Sequence, residues 1–377
     1  MKPFVPRPFS FMPGILASLL MVACSNSGPT VPSDDSSVFG GPNNPARDGS
    51  YTEAIVSENG IASLEPVVIG GVEQWILIRG YDVSNPVLVF LHGGPASPAM
   101  PYAKFSFSGL ERYFTVVSWD QRGCGKSYYE GLSSASITFD QMLSDTHELI
   151  QLMRARFGVQ KVYLMGLSWG SILGTLTAQD HPELLHAYIG VGQAVNVERG
   201  IPVAHAAAMA QAVELGRADA IASLSTIQVD PIAWDQVGLL YDWLEELGLG
   251  DIHDASLLPG FAEEAGPLTE YTAANVANEG AWRELYAFSP LLADQSWLRT
   301  LNILQTVPRL EVPVYFLAGR YDYKAPSFLV EEYLNALVAP SGKRMFWFEN
   351  SAHVPFIEER SAFNAVMINT ILAETGG

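Results

Sequence analysis

The sequence predicts an α/β fold in which a mostly parallel sheet is flanked by helices and interrupted by an inserted helical cap. Short apolar runs of strand type alternate with stretches of helical periodicity as far as residue 195. Residues 196–308 contain helical stretches rich in Ala, Leu and Trp, of which residues 203–222 are one, and no convincing strand. Strand-like runs resume at residues 312–318 and 344–348. We therefore predict a core over residues 56–195 and 309–377, and a cap over residues 196–308 above the carboxyl edge of the sheet, where ligands bind.

The first elements predict a hairpin followed by central strands. Residues 65–69 and 73–79 have strand composition and flank Gly70-Gly71, a dipeptide typical of a tight hairpin turn. Residues 86–91 are apolar on both faces, as expected of a buried parallel strand, and residues 113–119 are similar.

A long helix is predicted to follow Thr138. The threonine is a suitable N-cap, and Gln141 stands three residues later in the capping-box position. Apolar residues recur at helical spacing as far as Met153, and Gly158 is a typical helix stop.

A serine stands between a predicted strand and a predicted helix. Residues 166–170 have the sequence Gly-Leu-Ser-Trp-Gly, after the strand-like run 161–165 and before a helix-forming stretch at 172–178. A sharp strand-to-helix turn with small flanking residues exposes the hydroxyl of Ser168 above the sheet edge. The amide dipoles of the following helix point at any negative charge that forms there. The motif therefore predicts a nucleophilic serine.

Ser168 needs a base and a group that orients the base, because a serine hydroxyl is a poor nucleophile near neutral pH. In hydrolases with this turn the partners follow along the chain as Asp or Glu and then His. Asp322 and His353 each follow a strand-like run, and no other histidine comes after Asp322. We predict a catalytic triad of Ser168, Asp322 and His353 on loops at one edge of the sheet.

An oxyanion formed at Ser168 needs two backbone N–H donors. One is expected from Trp169, the residue after the serine. The second is expected from the loop at residues 92–95, His-Gly-Gly-Pro, where Pro95 has no N–H. We assign this donor to Gly94, with Gly93 and Ala96 as alternatives.

Residues 120–127, Asp-Gln-Arg-Gly-Cys-Gly-Lys-Ser, end like a phosphate-binding loop. The nucleotide pattern requires glycine at the position of Asp120, so the match fails. We expect a structural loop held by Asp120 and Arg122. Cys124 lies in this loop and is not expected to act as a nucleophile, since Ser168 is the better one.

Four motifs together resemble the prolyl aminopeptidase (proline iminopeptidase) branch of the α/β-hydrolases. They lie at residues 92–95, 120–127, 166–171 and 319–322, the last being Gly-Arg-Tyr-Asp. The resemblance covers most of residues 60–192 and 309–377. It implies an α/β-hydrolase fold, a triad of Ser168, Asp322 and His353, and a helical cap that selects the substrate.

The same resemblance implies a serine hydrolase that acts through an acyl-enzyme on short peptides or amino-acid amides. Cap carboxylates of that family hold the free α-amine of the substrate. Glu270, Glu279 and Glu284 are candidates for this role, although a solvated helix charge is the better explanation of each. A carboxylesterase acting on small acyl esters and a non-catalytic binding lipoprotein on the same fold stay open as alternatives.

The N-terminus is expected to be a targeting segment. A basic start precedes a short apolar run at residues 11–23, which is too short for a spanning helix. The run ends at Cys24 in a sequence that resembles the lipobox of bacterial lipoproteins. We predict a signal peptide over residues 1–23, lipidation of Cys24 and a flexible tether over residues 24–55. Location in the bacterial envelope follows, at the outer membrane or periplasmic face in a Gram-negative cell, with simple secretion as the alternative.

Composition limits the partners of the chain. Its 377 residues include 40 acidic and 21 basic ones, giving a formal charge of −19 and no basic cluster for nucleic acid. The sequence shows no histidine spacing typical of metal sites and no dinucleotide motif in context. We expect no metal and no cofactor. The only other cysteine is Cys124, so lipidation of Cys24 would leave no internal disulfide.

Overall fold

The computed structural model describes residues 55–257, 269–294 and 296–376. The predicted signal peptide, Cys24 and nearly all of the predicted tether lie outside the described residues. Within the described part of the chain, no helix is both long and apolar enough to cross a membrane.

An eight-stranded sheet forms the centre of the described structure, with the strand order β1-β2-β4-β3-β5-β6-β7-β8. The strands are β1 Ile61–Ile69, β2 Val72–Gly80, β3 Val87–Leu91, β4 Thr115–Asp120, β5 Val162–Leu167, β6 Leu185–Val191, β7 Val314–Gly319 and β8 Lys343–Phe348. From β4 through β8 every pairing is parallel. This is the α/β fold class predicted from the sequence.

The predicted hairpin is confirmed at the antiparallel edge. Strands β1 and β2 pair antiparallel, with Ile69 opposite Val72. Gly70 and Gly71 both have positive φ, at 58° and 74°, as a two-residue hairpin of the favoured twist requires. Strand β2 also pairs antiparallel with β4, which joins the hairpin to the parallel part.

Helices cover both faces of the sheet. The described helices are α1 Met100–Phe107, α2 Phe139–Phe157, α3 Trp169–Asp180, α4 Val197–Glu214, α5 Ala218–Leu224, α6 Val237–Glu246, α7 Thr269–Ala287, α8 Pro290–Ala293, α9 Ser296–Thr300, α10 Ile303–Thr306, α11 Ser327–Ala336, α12 Pro355–Glu358, α13 Arg360–Val366 and α14 Ala373–Thr375, with a π-helical turn at Met367–Leu372. Side chains of β3 alternate between two cores: Val89 packs with α2 and α3, and Phe90 packs with α1 and α12. Burial on both faces explains why β3 is apolar throughout.

Helix α2 begins and ends as its sequence predicts. The Thr138 hydroxyl accepts a 3.1 Å hydrogen bond from the Gln141 N–H. Gly158 takes the left-handed conformation at φ 66° and ends the helix.

The described residues between β6 and β7 form helices α4 to α10. Helices α4, α5 and α6 pack on one another through a small apolar core that includes Ala208, Leu224 and Leu240. The sequence suggested one helix over residues 203–222, which is wrong. Gly216 has φ 65°, and the Arg217 N–H bonds back to the Ala212 carbonyl, so the chain stops and restarts there.

Candidate active site

Ser168 occupies a strained turn between β5 and α3. Its φ of 53° and ψ of −115° are rare for a residue with a side chain. A Cβ on Gly166 would overlap the backbone of Gly170, and a Cβ on Gly170 would overlap the backbone carbonyl of Leu91. The two glycines therefore allow β5, α3 and β3 to approach closely enough to form the turn.

Hydrogen bonds hold the backbone of Ser168 in this conformation. Its N–H donates to the Val191 carbonyl at 3.1 Å. Its carbonyl accepts from the Ser171 N–H at 2.9 Å and from the Ser171 hydroxyl at 2.5 Å. Since both the N–H and the carbonyl of Ser168 are held, the residue has a defined backbone position above the sheet.

The structure brings together His353 and Asp322, two residues of the predicted triad. His353 Nδ1 donates to Asp322 Oδ2 at 2.8 Å, and both side chains are almost completely buried. The other carboxylate oxygen of Asp322 accepts the Ala325 N–H at 2.9 Å. Fixing the proton on Nδ1 leaves Nε2 of His353 as a proton acceptor.

Ser168 and His353 line one cavity. Among the described residues their side chains make no direct hydrogen bond to each other. Hydrogen bonds between a nucleophile and its base are often long without substrate and tighten when substrate binds. The shared cavity is compatible with the predicted activation of Ser168 by His353 when substrate binds.

The charge state of His353 depends on opposing effects. Burial disfavours the imidazolium, but the charge and hydrogen bond of Asp322 and the charge of Asp251 favour it. The net result raises the pKa of His353 above its usual value. The site therefore stabilises the charged imidazole that forms when the base takes a proton.

The loop after β3 brings Gly93 and Gly94 to the same cavity as Ser168 and Trp169. A Cβ on Gly93 would stand only 3.3 Å from the Cβ of Ser168. Gly94 has φ 118° and lies against the backbone N of Ala96, so a side chain there would be strained. The predicted donors, Trp169 and Gly94, are thus brought to one place, and their role as oxyanion donors stays a prediction.

A buried histidine network, which the sequence did not predict, supports this loop. His92 Nδ1 donates to the Gly93 carbonyl at 2.7 Å, and His92 Nε2 accepts from the Gln121 N–H at 3.2 Å. The Gln121 side chain donates to the His92 carbonyl at 3.0 Å and accepts from the Trp169 indole at 2.8 Å. Burial lowers the pKa of His92 to about 4, so the imidazole is neutral in this network at ordinary pH.

The loop at residues 120–127 is held by the two residues predicted to hold it. Asp120 Oδ2 accepts the Lys126 N–H at 2.8 Å. Arg122 forms a buried two-point ion pair with Asp145 at 2.7 and 2.9 Å. Cys124 is buried, and burial together with the charge of Asp120 raises its pKa well above the usual value. A thiol in that state is protonated and unreactive.

The cavity measures about 250 Å³ and has mostly apolar walls with several aromatic rings. Its charged side chains come largely from residues that sequence reasoning missed. Asp242 and Glu245 reach it from α6, Asp251 from the loop after α6, and Lys324 from the loop after β7. The sequence did not show that α6 lines the same cavity as Ser168. The acidic residues on one face of this helix were the only sequence signal of a role there.

The three carboxylates suggested from sequence as amine-binding groups differ in their position relative to the cavity. Glu279 lines the cavity but forms an ion pair with Arg283 at 2.7 Å. Glu284 is exposed and does not line this cavity. The side chain of Glu270 lies outside the described part of the structure. No cluster of three or more His, Cys, Asp or Glu residues suited to a metal ion occurs in the described ranges.

The family of the chain follows from comparison with known proteins. The family model described as alpha/beta hydrolase fold matches residues 86–225. The Bacillus subtilis (strain 168) protein named probable aminopeptidase YbaC is 37% identical over 314 residues, which cover 82% of this chain and 96% of that protein. The chain belongs to the α/β-hydrolase family. Since such relatives are named as aminopeptidases and the fold is that of hydrolases, this α/β-hydrolase is an enzyme of the aminopeptidase-like hydrolase type.

Two further comparisons agree with this placement. The proline iminopeptidase of Neisseria gonorrhoeae is 38% identical over 96 residues, which cover 26% of this chain and 29% of that protein. The crystal structure of proline iminopeptidase from Mycobacterium smegmatis covers 83% of this α/β-hydrolase and 99% of its own chain, with a TM-score of 0.54 and 18% identity. At this low identity the comparison with the crystal structure shows the fold alone, and that fold is the one predicted from sequence.

Proposed function

We propose that this α/β-hydrolase is a serine aminopeptidase that acts through an acyl-enzyme on short peptides or amino-acid amides. Ser168 Oγ attacks the carbonyl carbon while His353 Nε2 takes the hydroxyl proton. The C–N bond then breaks, and the same proton passes to the leaving amine. Water attacks the acyl-enzyme with His353 again as base, and Ser168 recovers its proton. Asp322 orients the imidazole, and the amides of Trp169 and Gly94 stabilise the oxyanion.

The single observation that carries the proposal is the hydrogen bond between Asp322 and His353, whose ring lines the same cavity as the strained Ser168. Such a constellation serves acyl transfer at a carbonyl centre. The names of the relatives, a probable aminopeptidase and a proline iminopeptidase, support a peptide or amino-acid amide as substrate.

An excess of negative charge in the cavity supports a substrate with a free amine. Four carboxylates line the cavity, against the two permanent cations Arg283 and Lys324. The carboxylate of Asp242 has no hydrogen-bond or ion-pair partner among the described residues, and burial together with the charge of Glu246 raises its pKa. A protonated α-amine would satisfy Asp242 and offset the excess charge.

Amine recognition is tested with matched substrates. Aminoacyl p-nitroanilides of proline and leucine are compared with their N-acetyl forms and with p-nitrophenyl butyrate. We expect the free amine to raise kcat/KM about 10- to 100-fold, the value of one charge-assisted hydrogen bond. Asp242→Asn should remove most of that preference and leave ester turnover unchanged. Glu284→Gln is the matched control, because this exposed carboxylate lies outside the cavity.

Other outcomes would identify the alternatives. Turnover of the butyrate ester with no preference for a free amine would make the protein a carboxylesterase. An absence of turnover on every substrate would favour a binding protein that retains the fold.

We also propose that the protein is exported and lipidated at Cys24, which anchors it to the bacterial envelope. The apolar run ending at Cys24 supports this proposal. Growth with an alkyne-tagged fatty acid should label the wild-type protein and leave Cys24→Ser unlabelled. Equal labelling of both, or release of the wild-type protein into the medium, would contradict lipid anchoring.

A further inference from the structure

A short loop after α6, residues 248–251, contacts both loops that carry the catalytic acid and base. The Tyr323 N–H, next to Asp322, donates to the Leu249 carbonyl at 3.1 Å. The His353 N–H itself donates to the Gly250 carbonyl at 3.3 Å. The helical insertion therefore contributes directly to the backbone support of the catalytic base.

A mostly buried cluster of three charged residues fixes this loop. Lys324 Nζ donates to Glu245 Oε1 at 2.8 Å and to Asp251 Oδ1 at 2.7 Å. The Asp251 N–H donates to the second oxygen of Glu245 at 2.8 Å. A side chain on Gly250 would overlap the Glu245 carboxylate, so the glycine is needed for this contact. We call Glu245, Asp251 and Lys324 the Lys324 cluster.

The Lys324 cluster lies beside the reacting groups. All three members line the cavity that holds Ser168 and His353. Their side chains are 13% to 23% exposed, so water screens their charges only weakly. Two carboxylates and one ammonium leave a net charge of −1. Asp251 favours the imidazolium of His353, and Lys324 opposes it.

We propose that Asp251 is a positioning residue for the reaction: held in place by Lys324 and Glu245, it acts with Asp322 to orient His353 and stabilise its imidazolium. This inference rests on one part of the proposed function, namely that His353 activates Ser168, and it does not depend on the substrate. Asp322 supplies the direct hydrogen bond, whereas Asp251 supplies a second negative charge and ties the loop to the backbone of His353.

Several elements near His353 carry titratable groups that could affect its pKa. They are Asp322 and Lys324 after β7, Tyr241 and Glu245 on α6, Asp251 after α6, Tyr102 on α1 and Glu358 on α12, whose carboxylate accepts the Ala352 N–H at 2.7 Å. Burial raises the pKa of both tyrosines, so they stay neutral through the working range. Removal of Asp251 should lower the pKa of His353, and removal of Lys324 should raise it.

The test measures the rate of labelling by a fluorophosphonate across pH 4.5 to about 9, a range that spans histidine titration. This probe needs a reactive serine and no particular substrate. We expect Asp251→Asn to lower the acid midpoint of the labelling rate by about half a pH unit or more, as loss of a neighbouring buried charge should. Lys324→Met should raise the midpoint. Glu349→Gln, an exposed carboxylate just before the His353 loop, should leave it unchanged.

Stability is followed by thermal melting of each variant. If Lys324→Met alone does not fold, Lys324→Met with Glu245→Gln keeps the cluster at its original net charge and is expected to show the raised midpoint. A folded Asp251→Asn with the wild-type midpoint, or a lowered midpoint on loss of Lys324, would overturn the inference. Wild-type protein that is not labelled at any pH would instead overturn the proposed function and the inference with it.

Discussion

His353 Nδ1 and Asp322 Oδ2 lie 2.8 Å apart, although the two residues are 31 positions apart in sequence. Parallel pairing of β7 with β8 brings this about, because the loops after two adjacent parallel strands leave the sheet at the same edge. The pair is almost completely sealed from solvent, which strengthens its electrostatic coupling. The orientation of the His353 imidazole is thus a product of sheet topology.

Replacing the acid tests the role of this pair. Asp322→Asn should lower kcat by roughly 10⁴-fold, because an amide no longer holds the proton on Nδ1 of His353. KM should change little, since Asp322 faces the imidazole. Steady-state kinetics on the best p-nitroanilide measures both. A loss of less than about tenfold in a folded variant would mean that another group orients the base.

The buried His92 predicts a loss of stability in acid. Its pKa is about 4 in the folded protein, below the value of 6.5 expected when unfolded. Above pH 6.5 the group is neutral in both states and costs nothing. As pH falls from 6.5 towards 4, the unfolded state binds the proton first, and about 3 kcal/mol of unfolding free energy is lost.

This acid effect is measured by urea unfolding at a series of pH values. His92→Gln removes the titration while retaining a polar side chain, and its unfolding free energy should fall less steeply between pH 6.5 and 4. Parallel curves for the two proteins would contradict the assignment of a neutral buried histidine. Carboxylate titrations are common to both proteins and cancel when the two curves are compared.

The serine turn depends on a close backbone approach at Gly170. Gly170→Ala should cost about 1–3 kcal/mol of stability or more, because the new methyl group overlaps the Leu91 carbonyl. Gly280→Ala is the matched control, since it lies within α7 with open space around it. That change should stabilise the protein by about 0.5–1 kcal/mol. Equal melting temperatures for the two variants would contradict the close approach.

The buried Arg122–Asp145 pair is predicted to matter for folding more than for chemistry. Arg122→Met leaves a buried carboxylate unpaired and should cost about 3–5 kcal/mol. Arg309→Met breaks an exposed pair with Glu311 and should cost less than about 1 kcal/mol. Denaturant unfolding compares them, and similar small losses would show that Asp145 does not depend on Arg122.

Local patterns predicted much of this structure. The Gly70-Gly71 turn, the Thr138 cap and the serine turn each depend on backbone conformations that a few adjacent residues determine. Asp322 and His353 were candidates because each follows a strand-like run in the required order. Their contact needed only the parallel sheet that the alternation of strands and helices predicts.

Local patterns did not predict the contacts between the helical insertion and the cavity. Asp242, Glu245 and Asp251 reach the cavity because α6 and the loop after it form part of its wall. A helix sequence indicates which face is apolar but not what that face covers. Gly192 is a similar case. A side chain there would stand 2.6 Å from His353 Nδ1, a requirement that only the folded arrangement reveals. Local sequence also gave no sign that Gly216 would divide a predicted helix.

Fluorophosphonate labelling followed by mass spectrometry tests the central claim most directly. The account predicts one modified residue, Ser168, no labelling of folded Ser168→Ala, and a labelling rate that falls as pH drops through the titration of His353, above its usual value of 6.5. Modification of a different residue, or labelling of Ser168→Ala at the wild-type rate, would contradict it.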